Sequence, residues 1–122
     1  MVCDNNYYHC KHVASILIPA SPPTPGRPFA IKPQSTSITI GWSESSCDGG
    51  HALSSFTIQY DKVYGFFLYR YVRNIPSAMR NYTITGLESN TLYSFRVQAV
   101  NVNSLTSSYS LAVSISTLSP GE

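Results

Sequence analysis

The stretch Tyr82 to Asn101, YTITGLESNTLYSFRVQAVN, constrains this chain more than any other. It holds two runs in which apolar and polar residues alternate, joined at a corner by Gly86-Leu87 and Ser89-Asn90-Thr91. In the second run Tyr93, Phe95, Val97 and Ala99 share one face, while Ser94, Arg96 and Gln98 share the other. A strand with this period buries one side against a second sheet and leaves the other wet. Tyr93, just past the corner, can place its ring in the interior while its hydroxyl bonds back to the connecting backbone.

The same period recurs along the chain. Phe29 to Ile31 can form a short first strand, ended by Pro33. Thr36 to Trp42 puts Ile38, Ile40 and Trp42 on one face, and Ser43 to His51 reads as a turn-rich loop. Ser54 to Tyr60 places Phe56, Ile58 and Tyr60 inward, with a turn expected near Asp61-Lys62. Tyr64 to Val72 is apolar and aromatic on both faces, and Asn74 to Ala78, with Pro76, reads as a loop. After a loop over Asn101 to Ser108, Tyr109 to Thr117 is expected to be the last strand, with Leu111, Val113 and Ile115 inward. No helical period is present. The pattern predicts an all-β, seven-stranded antiparallel sandwich of two sheets. Its expected core includes Ile38, Ile40, Trp42, Phe56, Ile58, Tyr60, Tyr93, Phe95 and Val97.

A chain of 122 residues can bury such a core without metals or disulfides. Charged residues make up 11%, against about a quarter in an average domain, so a disordered or solvating tail is excluded as the main reading. A net charge of +2 is too small to imply nucleic acid or an anionic membrane as partner. Cys3, Cys10 and Cys47 allow at most one bridge, which argues against a disulfide framework and against the paired inter-sheet cysteines of an immunoglobulin domain.

The ends divide the chain into three parts: 1–21, a sandwich domain over 22–118, and the start of a linker at 119–122. Val13 to Ile18, VASILI, is six residues long and far short of a membrane span. Residues 1–20 read as a secretory leader cleaved after Ala20, or as the tail of a preceding module. The second reading rests on the echo between VASILIPASPPTPG and LAVSISTLSPGE. Ser21 to Pro28, SPPTPGRP, is expected to be an extended polyproline-like spacer.

Taken in order, these features resemble a fibronectin type III module from about Pro22 to Thr117. The likeness is carried by prolines before the first strand, the Trp ending SITIGW, and Asp48-Gly49-Gly50 with Leu53 leading into FTIQY. It continues in the corner Leu87, the Thr91-x-Tyr93 and the Val97-x-Ala99-x-Asn101 finish. The resemblance implies strands A-B-E packed on C-C′-F-G, with Trp42, Leu87 and Tyr93 as core landmarks. The family often has a proline where this chain has Ser89-Asn90, and a glycine where it has Asn103-Ser104. The Arg-Gly-Asp integrin signal of some members is absent from Val102 to Ser107, so integrin binding is not carried over.

Nothing in the sequence points to catalysis. The histidines are His9, His12 and His51, no Ser sits in a G-x-S-x-G elbow, and the six acidic residues are scattered. Cys3, His9, Cys10 and His12 match no ordinary zinc spacing. No catalytic residue, cofactor or metal site is therefore expected. Binding has better material. With Phe66 and Leu68 inward, Phe67, Tyr69, Tyr71 and Arg73 remain outside, and exposed Tyr and Arg anchor protein interfaces. Arg70 and Arg73 are too few for single-stranded nucleic acid. Asn81-Tyr82-Thr83 is an N-glycosylation sequon, and Tyr82 and Ile84 facing inward would leave Asn81 facing out. The reading is a protein-interaction module of a multi-domain extracellular or cell-surface adhesion or receptor protein. Its expected partners are an unidentified protein and neighbouring domains of the same chain, with no nucleic acid and no membrane insertion by this segment. The alternative is a spacer in a large cytoplasmic, muscle-type tandem array.

Overall fold

The computed structural model describes residues 20–43, 51–65 and 68–121. Cys3, His9, Cys10, His12, Cys47, Phe66 and Phe67 lie outside the described residues. Seven strands follow one another: β1 (Phe29–Pro33), β2 (Ile38–Gly41), β3 (Leu53–Lys62), β4 (Arg70–Pro76), β5 (Asn81–Ile84), β6 (Leu92–Asn101) and β7 (Val113–Ser116). They form a three-stranded sheet in the order β1-β2-β5 and a four-stranded sheet in the order β4-β3-β6-β7. This is the A-B-E on C-C′-F-G arrangement, a sandwich with no helix among the described residues.

β3 and β6 are the longest strands, and their antiparallel ladder runs from Leu53 opposite Asn101 to Lys62 opposite Tyr93. Burial along β6 alternates without a break: Tyr93, Phe95, Val97, Ala99 and Asn101 are buried, and the residues between them are partly exposed. Ile38, Ile40, Trp42, Phe56, Ile58, Ile75, Ile84, Leu87 and Ile115 complete the core, and Tyr60 packs against it. Trp42 meets Phe56 edge to face at 5.4 Å and 64°, and Tyr60 stacks on Phe95 at 6.1 Å. At the corner, Gly86 takes φ 73° and the Leu87 N–H donates to the Thr36 carbonyl at 2.9 Å. The Glu88 N–H donates to the Tyr93 hydroxyl at 2.9 Å, so the buried ring keeps its polar end paired.

Three expected segments fall differently. Strand β3 runs through Asp61-Lys62, where a turn was expected. Strand β4 starts at Arg70 and continues through Pro76, so Tyr64 and Leu68 lie outside it and are well exposed, whereas Leu68 was expected inward. Asn74 makes this possible: at φ 62° it absorbs a register shift against β3 and returns Ile75 to the core. Pro76 is tolerated because β4 is an edge strand.

The last strand is shorter than expected, and Leu111 is 68% exposed. Serine hydroxyls take over the ladder in that region. Ser107 and Ser110 donate their own N–H groups to the carbonyls of Ala99 and Val97. Their hydroxyls accept from the N–H groups of the same two residues, at 2.9 and 3.0 Å. Two buried residues three apart break the period of two, and Leu111 drops out of phase.

The proline-rich segment lies against the sandwich rather than standing free of it. Pro22, Pro25 and Pro28 are all buried. A polyproline helix repeats every three residues, so these prolines form one face. The Gly26 N–H donates to the Ser43 carbonyl at 3.0 Å, and the Asn101 Nδ2 donates to the Ala20 carbonyl at 2.7 Å.

Ser104 sits at φ 64°, in the turn where the family resemblance implies a glycine. A serine in the left-handed region is strained by about 1–2 kcal/mol, part of which glycine loses again to its greater chain entropy. Ser104→Gly is therefore expected to stabilise the fold by about 0.5–1 kcal/mol. Urea unfolding followed by circular dichroism checks this through a higher midpoint at unchanged slope.

Candidate interaction surface

The outward residues of the four-stranded sheet follow from its register. Tyr71 of β4 stands opposite Gln59 of β3, and Gln59 stands opposite Arg96 of β6. One step along, Asp61 faces Ser94, and Ser94 faces Ser114 of β7. Tyr69, Tyr71 and Arg73 alternate with the inward Val72 and share this outer face. Tyr69 and Tyr71 are 47% and 43% exposed, too open to serve the core.

These side chains hold one another in place. The Gln59 Nε2 donates to the Tyr71 hydroxyl at 3.2 Å, and the Arg73 guanidinium lies 4.5 Å over the Tyr71 ring. Arg96 lies 6.0 Å over the ring of Tyr109. Burial pushes the Tyr109 phenol up from its ordinary range and Tyr71 adds to the rise, while Arg73 and Arg96 oppose it. Tyr71, Arg73, Arg96 and Tyr109 thus form one aromatic-cationic group, with cations already seated on ring faces. Beside it lies a hollow of about 240 Å³, lined by Gln59, Asp61, Tyr69, Ser94, Arg96 and Ser114 among others. The Asp61 carboxylate is buried there; its Oδ1 accepts the Lys62 N–H at 2.8 Å, and its Oδ2 has no partner among the described residues.

Of the expected binding residues, Tyr69, Tyr71 and Arg73 come together on this face, whereas Phe67 is outside the described residues. Sequence reasoning had Arg96 facing outward but did not bring it to the ribbon, and it missed Gln59 and Tyr109 altogether. Asn81 is exposed on the opposite sheet. Among the described residues, no three His, Cys, Asp or Glu side chains gather as a metal site, and no helix is long and apolar enough to cross a membrane.

The sequence model of the fibronectin type III domain matches residues 21–116. The chain belongs to the fibronectin type III family. This domain is 35% identical over 85 residues to human "Brother of CDO", a match that covers 67% of this chain and 8% of that protein. It is 31% identical over 80 residues to the Xenopus laevis protein "Cell adhesion molecule-related/down-regulated by oncogenes", covering 66% of this chain and 6% of the relative. Its identity to the smooth muscle myosin light chain kinase of Gallus gallus is 30% over 80 residues, covering 66% of this chain and 4% of the kinase. The chain thus spans less than a tenth of the length of these relatives. Among solved structures, the third fibronectin III domain of the human KIAA0343 protein superposes with a TM-score of 0.70 at 19% identity, covering 84% of this chain and 87% of that one. A structure described as a myokine superposes at 0.69 and 21% identity, covering 80% of this chain and 99% of the other. At such identities these two likenesses speak for the fold alone.

Proposed function

We propose that this fibronectin type III domain is a non-catalytic protein-binding module of a longer extracellular or cell-surface adhesion protein. On this reading it engages its partner through the outer face of the β4-β3-β6-β7 sheet. The observation that carries the proposal is the group of Tyr69, Tyr71, Arg73, Arg96 and Tyr109, which is of the residue types that anchor interfaces and in which Arg73 is seated on Tyr71 and Arg96 on Tyr109. The adhesion setting is supported by the relative whose name describes a cell adhesion molecule. The similarity to a smooth muscle kinase supports the second reading, a spacer within a cytoplasmic array.

The test compares the chain with its Tyr69→Ala/Tyr71→Ala variant, coated at equal density, in attachment assays with adherent animal cells. Both substitutions are at exposed positions, so the melting temperature should hold. Loss of anchor residues worth about 2 kcal/mol corresponds to roughly thirtyfold weaker binding, and attachment should fall accordingly. Equal attachment by the two proteins would remove this face as the interface. Absence of attachment by the unaltered chain would favour the spacer.

A further inference from the structure

We propose that Asn81 carries an N-linked glycan whose first N-acetylglucosamine packs on the ring of Phe29, across the row Phe29–Gly41–Asn81. The row is set by register: Phe29 stands opposite Gly41, and Gly41 stands opposite Asn81. All three therefore share the outer face of the three-stranded sheet, with the inward Ile40 and Tyr82 beside them. Asn81 belongs to an edge strand and is exposed, so a glycan leaves the sheet without disturbing a neighbour.

Gly41 supplies the second observation. A Cβ there would lie 2.7 and 2.9 Å from Phe29 Cε2 and Cζ, and 2.8 Å from Ile31 Cδ1. The tip of the Phe29 ring thus occupies the space of the missing side chain and leans along the row toward Asn81. Directly opposed residues in an antiparallel pair have Cβ atoms about 4.5–5.5 Å apart, so a sugar on Asn81 reaches the ring without spanning a gap. Phe29 and Ile31 are nonetheless 51% and 52% exposed, an apolar patch that the core does not explain. A pyranose turns an apolar C–H face to an aromatic ring, and this row offers one ring at one sugar's distance.

The chemistry needs a polyprenyl-diphosphate-linked oligosaccharide as donor. The Asn81 Nδ2 forms a bond to the anomeric carbon of the donor. The bond from that carbon to the diphosphate oxygen breaks, its electron pair leaves with the polyprenyl diphosphate, and one amide proton passes to base. In the folded domain the Thr83 hydroxyl pairs with that of Thr39 at 2.7 Å, so the sequon is presented before β5 docks on β2. The glycan lies on the sheet opposite the aromatic-cationic face and leaves that surface open.

The experiment is secretion of the whole chain from an animal cell line, with intact-mass and peptide analysis. A glycan on Asn81 that disappears in Thr83→Ala is expected, and a secreted chain with unmodified Asn81 would overturn the proposal. The glycosylated domain should melt about 4 °C or more above its Asn81→Gln counterpart. Trimming to a single N-acetylglucosamine should keep the increment. Phe29→Ala and Phe29→Leu should each fold, since the ring is half exposed, and each should lose it. An increment that survives in both Phe29 variants would show that the ring is not the platform.

Discussion

Trp42→Ala is expected to cost about 3–5 kcal/mol, a large fraction of the roughly 5–15 kcal/mol that holds an ordinary domain folded. Trp42 is 2% exposed and closes the end of the sandwich between β2 and the Phe56 ring of β3. Removing it takes away the transfer free energy of the largest core side chain and opens a cavity that two hydrogen-bonded sheets cannot collapse to fill. The Phe56 ring that Trp42 supports also carries the Arg80 guanidinium at 5.1 Å, so a shift of that ring loosens the approach to β5. Since Trp42 is the sole tryptophan, unfolding of the variant has to be followed by far-ultraviolet circular dichroism rather than by indole fluorescence. Trp42→Phe, which keeps an aromatic edge at the site, should lose distinctly less. Equal stabilities for the Ala variant and the parent would mean that Trp42 does not anchor the core.

The second large effect belongs to Asn101, a polar residue in the buried row of β6. It is 1% exposed and both polar atoms of its side chain are bonded. Oδ1 accepts the N–H groups of Asn103 and Leu105 at 2.9 and 3.1 Å, and Nδ2 donates to the Ala20 carbonyl. Each bond contributes about 1 kcal/mol, and orphaning the turn's N–H groups adds a desolvation cost. Asn101→Ala should therefore destabilise by about 2–4 kcal/mol. Asn101→Asp separates the two roles: it keeps the acceptor for the turn, while a carboxylate oxygen replaces the amide donor facing the Ala20 carbonyl. Hydrogen exchange should then show the turn still protected and the segment 20–28 opened. If that segment stays protected in the Asp variant, the packed prolines and the Gly26–Ser43 bond hold it without the amide.

The parts of the fold legible in the sequence are those governed by the period of two. Ile38, Ile40, Phe56, Ile58, Phe95 and Val97 alternate with polar neighbours, and burial leaves them no second arrangement. What the period could not supply was the point at which other groups take over the ladder. Ser107 reads as a loop residue and Ser110 as part of the last strand, yet both hydroxyls bond the backbone of β6, and Leu111 is exposed as a consequence. Asn74 and Pro76 likewise read as a loop, although an edge strand accommodates both.

The candidate surface was legible to the same degree. Alternation put Tyr69, Tyr71 and Arg73 outside on one ribbon and Arg96 outside on another strand. Only the register sets Tyr71 beside Gln59 and Gln59 beside Arg96, and register depends on residues distant in sequence. Tyr109 was hidden because it was assigned to a regular strand, whereas it sits next to the serine-bonded segment, with its ring near Arg96.

The burial of Pro22, Pro25 and Pro28 also decides how the domain answers to tension. A pull applied at residue 20 does not act first on the seven strands. It meets a strap about nine residues long, pinned at Ala20 by the Asn101 amide and at Gly26 by the Ser43 carbonyl. The strap peels off one contact at a time before any ladder is sheared, so it yields length at low force and shields the sandwich from the first part of the load.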